Sequence, residues 1–165
     1  MKKIQFVAIG ANLPSLAHGS AQAACDWAAH ALMAVTGLRV ACRSRWYSSA
    51  PVPPSAQPRY INGIVRLDGN VGPAILLAAL HALEARAGRA RGASNAARPL
   101  DLDIIDMAGL VRDAPDPVLP HPRAHLRAFV LLPLRDVAPD WVHPRSGATL
   151  AALIADLPPQ DIHPV

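Results

Sequence analysis

Apolar and polar residues alternate between Tyr60 and Asp68, with Ile61, Gly63, Val65 and Leu67 on one side and Tyr60, Asn62, Ile64 and Arg66 on the other. A period of two is that of a strand whose faces meet different surroundings. Lys3 to Ile9, ending at Gly10, Leu38 to Tyr47, and Leu100 to Met107 are further β-rich runs. Between them the apolar spacing lengthens to three and four residues. Ser15 to Val35 reads as an Ala-rich helix closed by Gly37, and Gly72 to Gly88 as a helix with Pro73 in its first turn and Gly88 just past its end. Ala124 to Asp136 keeps a helical pattern despite Pro133, and Thr149 to Leu157 predicts a short terminal helix. The order strand, helix, strand, strand, helix, strand predicts an α+β fold of ferredoxin-like type, a two-layer sandwich with helices packed on an antiparallel sheet.

Two stretches interrupt the pattern: "SSAPVPPSAQPR" (Ser48 to Arg59), with four prolines in twelve residues, and "RARGASNAARP" (Arg89 to Pro99). Long loops in a compact domain are where binding and catalysis concentrate. The chain of 165 residues is 52% apolar and 17% charged, which excludes disorder and predicts a single domain over residues 1–165. A net charge of +4 and a pI near 9.7 favour an anionic ligand, a phosphate ester or nucleic acid. Cys25 and Cys42 suit neither a metal site nor a disulfide scaffold and read as reduced thiols. The first 25 residues imitate a lipoprotein leader, but the apolar run stops at Ala11 and is broken by Asn12, Pro14 and His18. No stretch approaches a membrane span. The expectation is a cytoplasmic protein, a monomer, with no membrane partner.

The chemistry concentrates around "AARPLDLDII" (Ala96 to Ile105). Asp101 and Asp103 are two apart on a strand, so both point one way while Leu100, Leu102 and Ile104 point to the core. Adjacent carboxylates repel, and one takes up a proton unless cations intervene. Mg²⁺ suits such a pair, because it binds through one or two carboxylates and completes its shell with water and phosphate oxygens. The alternative is a solvated strand face with Arg98 as salt-bridge partner. Arg86, Arg89, Arg91 and Arg98 lie within 13 residues just before the pair, and arginine's fork matches phosphate oxygens. The same loop also fits a nucleic-acid contact, but it holds no aromatic residue for base stacking. Neither a P-loop nor a Gly-x-Gly-x-x-Gly motif is present. His121 and His125 are spaced for one helix face, without a carboxylate or cysteine nearby to complete a zinc site.

Five segments together, "AIGANL" (Ala8 to Leu13), "SRWYSSAPVPPSAQPRYIN" (Ser44 to Asn62), "LEARAGRAR" (Leu83 to Arg91), "ARPLDLDII" (Ala97 to Ile105) and "LPHPRAHLRAFVLLPLRDVAP" (Leu119 to Pro139), resemble the 6-hydroxymethyl-7,8-dihydropterin pyrophosphokinases of folate biosynthesis. That resemblance implies transfer of pyrophosphate from ATP to the pterin hydroxymethyl group, with release of AMP and the help of two Mg²⁺ ions. It makes Asp101 and Asp103 the metal ligands, and Arg89 and Arg98, with the two aspartates, the catalytic set. His81, Glu84, Arg91, Arg98, Ile104, His121 and Arg127 would contact ATP. Gly10, Tyr60, Asn62 and Phe129 would form the pterin pocket, closed by the backbone of Ser49, Ala50 and Val52. The partners it implies are ATP and the pterin, with no nucleic acid.

This chain departs from the family pattern in places: Ala11 follows Gly10 where a serine is usual, Ser94-Asn95-Ala96-Ala97-Arg98 replaces a run that commonly carries tryptophan, and Pro122 follows His121 in place of tyrosine. A ferredoxin-like module binding RNA or a regulatory ligand is the rival class. It accounts for the basic loop and leaves Asp101 and Asp103 without a task.

Overall fold

The computed structural model describes residues 2–88 and 99–165. Among them, six strands form one sheet: β1 (Lys3–Ala11), β2 (Leu38–Arg43), β3 (Tyr47–Ser49), β4 (Tyr60–Gly69), β5 (Asp101–Met107) and β6 (Ile162–Pro164). The strand order is β5-β1-β4-β3-β6, with β2 also on β4, and every pairing is antiparallel. Helix α1 (Ala21–Ala31) follows β1 in the chain, and α2 (Pro73–Arg86) follows β4. This is the expected ferredoxin-like arrangement.

Strand alternation divides the interior in two. Val7, Ile9, Val65, Leu67, Leu102 and Ile104 point to one side, where they pack with Cys25, Ala28 and Leu32 of the first helical segment and Leu76, Leu80 and Leu83 of α2. The α2 leucines recur every three or four residues, so one stripe meets the sheet. Truncating any of them to alanine should cost about 2–5 kcal/mol. Phe6 and Ile64 point the opposite way, with Ile105, into a second cluster formed with α3 (Ala128–Val137) and Leu150 of α4 (Leu150–Ala155). A helical layer on the second face is therefore added to the two layers expected. On the first face Gly63 makes room for an aromatic ring: a Cβ there would lie 2.5 Å from the buried Trp46, which belongs to the cluster with α1 and α2.

Several boundaries differ from expectation for local reasons. The first helix starts at Ala21 because residues 15–19 form a turn closed by Ser15 and Gly19, and Ser20 caps α1 by accepting the Ala23 N–H. The run from Leu38 to Tyr47 splits into β2 and β3. At the break Ser44 exchanges bonds with Ile64: its N–H donates to the Ile64 carbonyl, and its hydroxyl accepts the Ile64 N–H. The pattern from Ala124 begins as a 3₁₀ turn (Ala124–Leu126), interrupted by extended Arg127 before α3. The strand β6 had no expectation. Pro73 and Gly88 (φ +88°) stand at the ends of α2 as anticipated. No helix among the described residues is long and apolar enough to cross a membrane.

Candidate active site

Register places the chemistry on one end of the sheet. Gly10 pairs with Asp101 on one side and Asn62 on the other, while Ala8 pairs with Asp103 and Ile64. Asp101, Gly10 and Asn62 thus form a row across three strands, and the two aspartates share the face that α3 covers further along. Gly10 leaves a gap in that row: a Cβ there would meet the Asn62 Oδ1 at 3.2 Å. Asn62 is buried and donates through Nδ2 to the Ser49 Oγ at 2.7 Å, which fixes its amide.

A cleft of about 530 Å³ opens above this row. Its lining includes every described residue expected at the site: Gly10, Ser49, Ala50, Val52, Tyr60 and Asn62; His81, Glu84, Asp101, Asp103 and Ile104; and His121, Arg127 and Phe129. Arg89, Arg91, Asn95 and Arg98 lie outside the described residues. The Ala50 N–H is engaged by the Asp161 carbonyl at 2.9 Å, so that part of the closing backbone is tied to the chain's last residues. Arg127 lies over the Phe129 ring at 5.3 Å, a cation–π contact that braces the guanidinium at the start of α3.

Glu84 is buried, and its Oε1 accepts the Leu102 N–H at 2.8 Å, which ties α2 to the strand midway between the two aspartates. His121 stands across from them, its Nε2 3.9 Å from the Asp103 Oδ2, beyond hydrogen-bond reach. Burial, then the nearby Arg127 and Arg123, push its pKa down to about 4. The imidazole is therefore neutral at pH 7, and because Nδ1 accepts the Arg123 N–H its proton sits on Nε2. His125 does not share a helix face with His121. Its ring packs edge-on against His143 at 5.5 Å.

Sequence reasoning passed over Gln57, which lies inside the proline-rich loop and lines the cleft. Its Oε1 accepts from Asn12 Nδ2 at 3.0 Å and Tyr60 OH at 3.2 Å, linking the loop to the ends of β1 and β4. Leu77, Asp116 and Arg123 also line the cleft. Leu77 had a visible signal, since it lies one helical turn before His81 on α2.

The donor set suits Mg²⁺. Two carboxylates on a rigid strand match an ion that takes one or two of them and completes its shell with water and phosphate. Among the described residues no third His, Cys, Asp or Glu joins them to make an all-protein cage.

The family model described as 7,8-dihydro-6-hydroxymethylpterin-pyrophosphokinase (HPPK) matches residues 6–139. A 2-amino-4-hydroxy-6-hydroxymethyldihydropteridine pyrophosphokinase of Pseudomonas aeruginosa is 40% identical over 153 residues, covering 93% of this chain and 91% of its own. A protein of the same description from Synechocystis is 41% identical over 134 residues, covering 81% and 68%. The fold is similar to that of a Plasmodium falciparum HPPK-DHPS crystal structure with pteroate, at a TM-score of 0.69 and 12% identity, over 94% of this chain and 41% of that one. A match over so much of the sequence, joined to the cleft that sequence and register assemble, means that the chain belongs to the 7,8-dihydro-6-hydroxymethylpterin-pyrophosphokinase family.

Proposed function

We propose that the cleft binds ATP and 6-hydroxymethyl-7,8-dihydropterin together and passes the β,γ-pyrophosphate to the hydroxymethyl oxygen. In this reaction the hydroxyl oxygen bonds to the β-phosphorus, the bond from that phosphorus to the oxygen bridging to the α-phosphate breaks, AMP leaves, and the hydroxyl proton is released. The observation carrying this reading is the row Asp101, Gly10, Asn62, which sets carboxylates for metal-bound phosphates beside an amide for a flat heterocycle.

Asn62 offers the pterin edge a fixed amide, Tyr60 and Phe129 flank the ring, and the side-chain gap at Gly10 admits it. Arg127 and His121 hold ATP phosphates, the first as a fork-shaped cation and the second as a neutral Nε2–H donor. Arg89, Arg91 and Arg98 add positive charge from the adjoining loop, with Arg89 and Arg98 serving the transfer itself. His81 and Glu84 stand near the nucleotide, with Glu84 also fixing the Leu102 backbone. Asp101 and Asp103 hold two Mg²⁺ ions. Bound there, Mg²⁺ would supply positive charge against the ATP phosphates and a Lewis-acid contact for the hydroxymethyl oxygen.

The test is titration calorimetry with a non-hydrolysable ATP analogue and the pterin, with and without Mg²⁺, beside an assay for AMP. The expected result is Mg²⁺-dependent nucleotide binding and one AMP formed per pterin diphosphate. Absence of AMP formation with both substrates and Mg²⁺ present would overturn the reading in favour of a binding module.

A further inference from the structure

Helix α3 begins at Ala128 without a side-chain cap from the residue before it, Arg127. Its cap comes from the far end of the chain. Gln160 Oε1 accepts the Ala128 N–H at 2.9 Å, and Gln160 Nε2 donates to the Leu126 carbonyl at 3.1 Å. A single amide thus grips the backbone on both sides of Arg127, which is extended (φ −118°, ψ 111°) between a 3₁₀ turn and the helix. The segment carrying Gln160 is itself anchored. The next residue, Asp161, accepts the Ala50 N–H through its carbonyl, and its carboxylate takes two bonds from Arg59 at 2.6 and 3.2 Å. Ile162–Pro164 then pair with Tyr47–Ser49 as a strand. Residues Gln160 to Pro164 lie beyond the residues 6–139 that the family model matches.

We propose that Gln160 is a positioning residue for pyrophosphate transfer, holding the Arg127 backbone so that the guanidinium meets the nucleotide's phosphates. The inference rests on the reading of Arg127 as a nucleotide contact. An arginine guanidinium sits at the end of a long, rotatable stem, so a small change in φ or ψ at its Cα displaces the charge widely. An N-terminal N–H of a helix also needs a partner, and here that partner defines where the helix starts. Without Gln160 the backbone around Arg127 gains freedom that nucleotide binding must remove. Asn62 and Tyr60 are held by β4 and feel none of this.

Steady-state kinetics on the full chain tests the proposal with Gln160→Ala, Gln160→Met, Arg127→Ala and the double variant of the last two. Methionine keeps the side-chain length and loses both hydrogen bonds, so it separates positioning from packing. Both Gln160 variants should raise KM for ATP roughly 5- to 10-fold, the loss of about one net hydrogen bond, and raise KM for the pterin by less, through Phe129 next to the capped Ala128. Adding Gln160→Met to Arg127→Ala should raise KM for ATP no further, because the amide acts through the arginine. A lower kcat with both KM values unchanged, the mark of a smaller folded fraction, would overturn the proposal, as would full additivity in the double variant. A strong Arg127→Ala effect beside silent Gln160 variants overturns the positioning role alone. A silent Arg127→Ala overturns the assignment of Arg127, and the positioning role with it.

Discussion

The two ends of β5 carry the same residue type in opposite circumstances. At the end remote from the cleft, Asp106 is 4% exposed, with the Trp141 indole N–H on one oxygen at 2.8 Å and the Gly109 N–H on the other at 2.9 Å. At the other end, Asp101 and Asp103 face the cleft, and the Asp103 side chain is 37% exposed, with the neutral His121 at 3.9 Å. A register shift opposite Phe6 and Val7 leaves Ile105 without a partner and turns Asp106 to the same side as Ile105. Burial with two N–H donors makes Asp106 part of the frame. Asp101 and Asp103 instead line the cleft.

Substitution at either end should separate these roles. Asp101→Ala or Asp103→Ala should reduce AMP formation by several orders of magnitude, since either change dismantles the carboxylate pair, while Tm moves by no more than roughly 2 °C. Near-normal turnover at saturating Mg²⁺ would collapse the contrast. Asp106→Ala should do the reverse. With the indole and amide left unpaired, urea unfolding should show a loss of roughly 2–3 kcal/mol, and kcat per folded molecule should stay close to the parent. Asn62→Ala should weaken pterin binding by roughly 1–3 kcal/mol in calorimetry and leave the ATP analogue unaffected. Equal losses for both ligands would mean that the row across β5, β1 and β4 does not divide the cleft as argued.

The last prediction concerns pH. His121 in the unfolded chain takes a proton near 6.5, but in the ligand-free native protein only near 4. The unfolded state binds more protons between these values, so stability rises with pH across that window and is lost on acidification through it. Imidazole NMR should show His121 neutral at pH 7, and Asp101→Ala should lower its midpoint further by removing an attraction that favours the charged ring. A midpoint above 6 would contradict the burial that sets it.

What could be read from the chain follows from how local each signal is. Alternation in Tyr60 to Asp68 and Leu100 to Ile104 fixed which side chains share a face, and so placed Asn62 and the aspartate pair correctly. Pro73 and Gly88 marked α2 because caps are written in adjacent residues. By contrast, β6 joins β3 across more than a hundred residues and holds only Ile162, His163 and Pro164, which no periodicity reveals. Gln57 and Gln160 act through bonds to segments distant in sequence, and a lone glutamine in a polar loop carries no local signature. The split at Ser44 is equally silent, since Ser44-Arg45-Trp46 keeps the alternation of a strand while its backbone turns aside.

The bond from Leu102 to Glu84 has a consequence for solubility. β5 ends the sheet, and an outer strand with open N–H and C=O groups invites pairing with another chain. Here the cleft's own residues occupy two of those groups: Glu84 accepts the Leu102 N–H, and the His121 N–H donates to the Ile105 carbonyl at 2.9 Å. The architecture that gathers ligands at this rim also withholds it from amyloid-like strand addition, so mutations that loosen Glu84 or the backbone of His121 should surface first as aggregates.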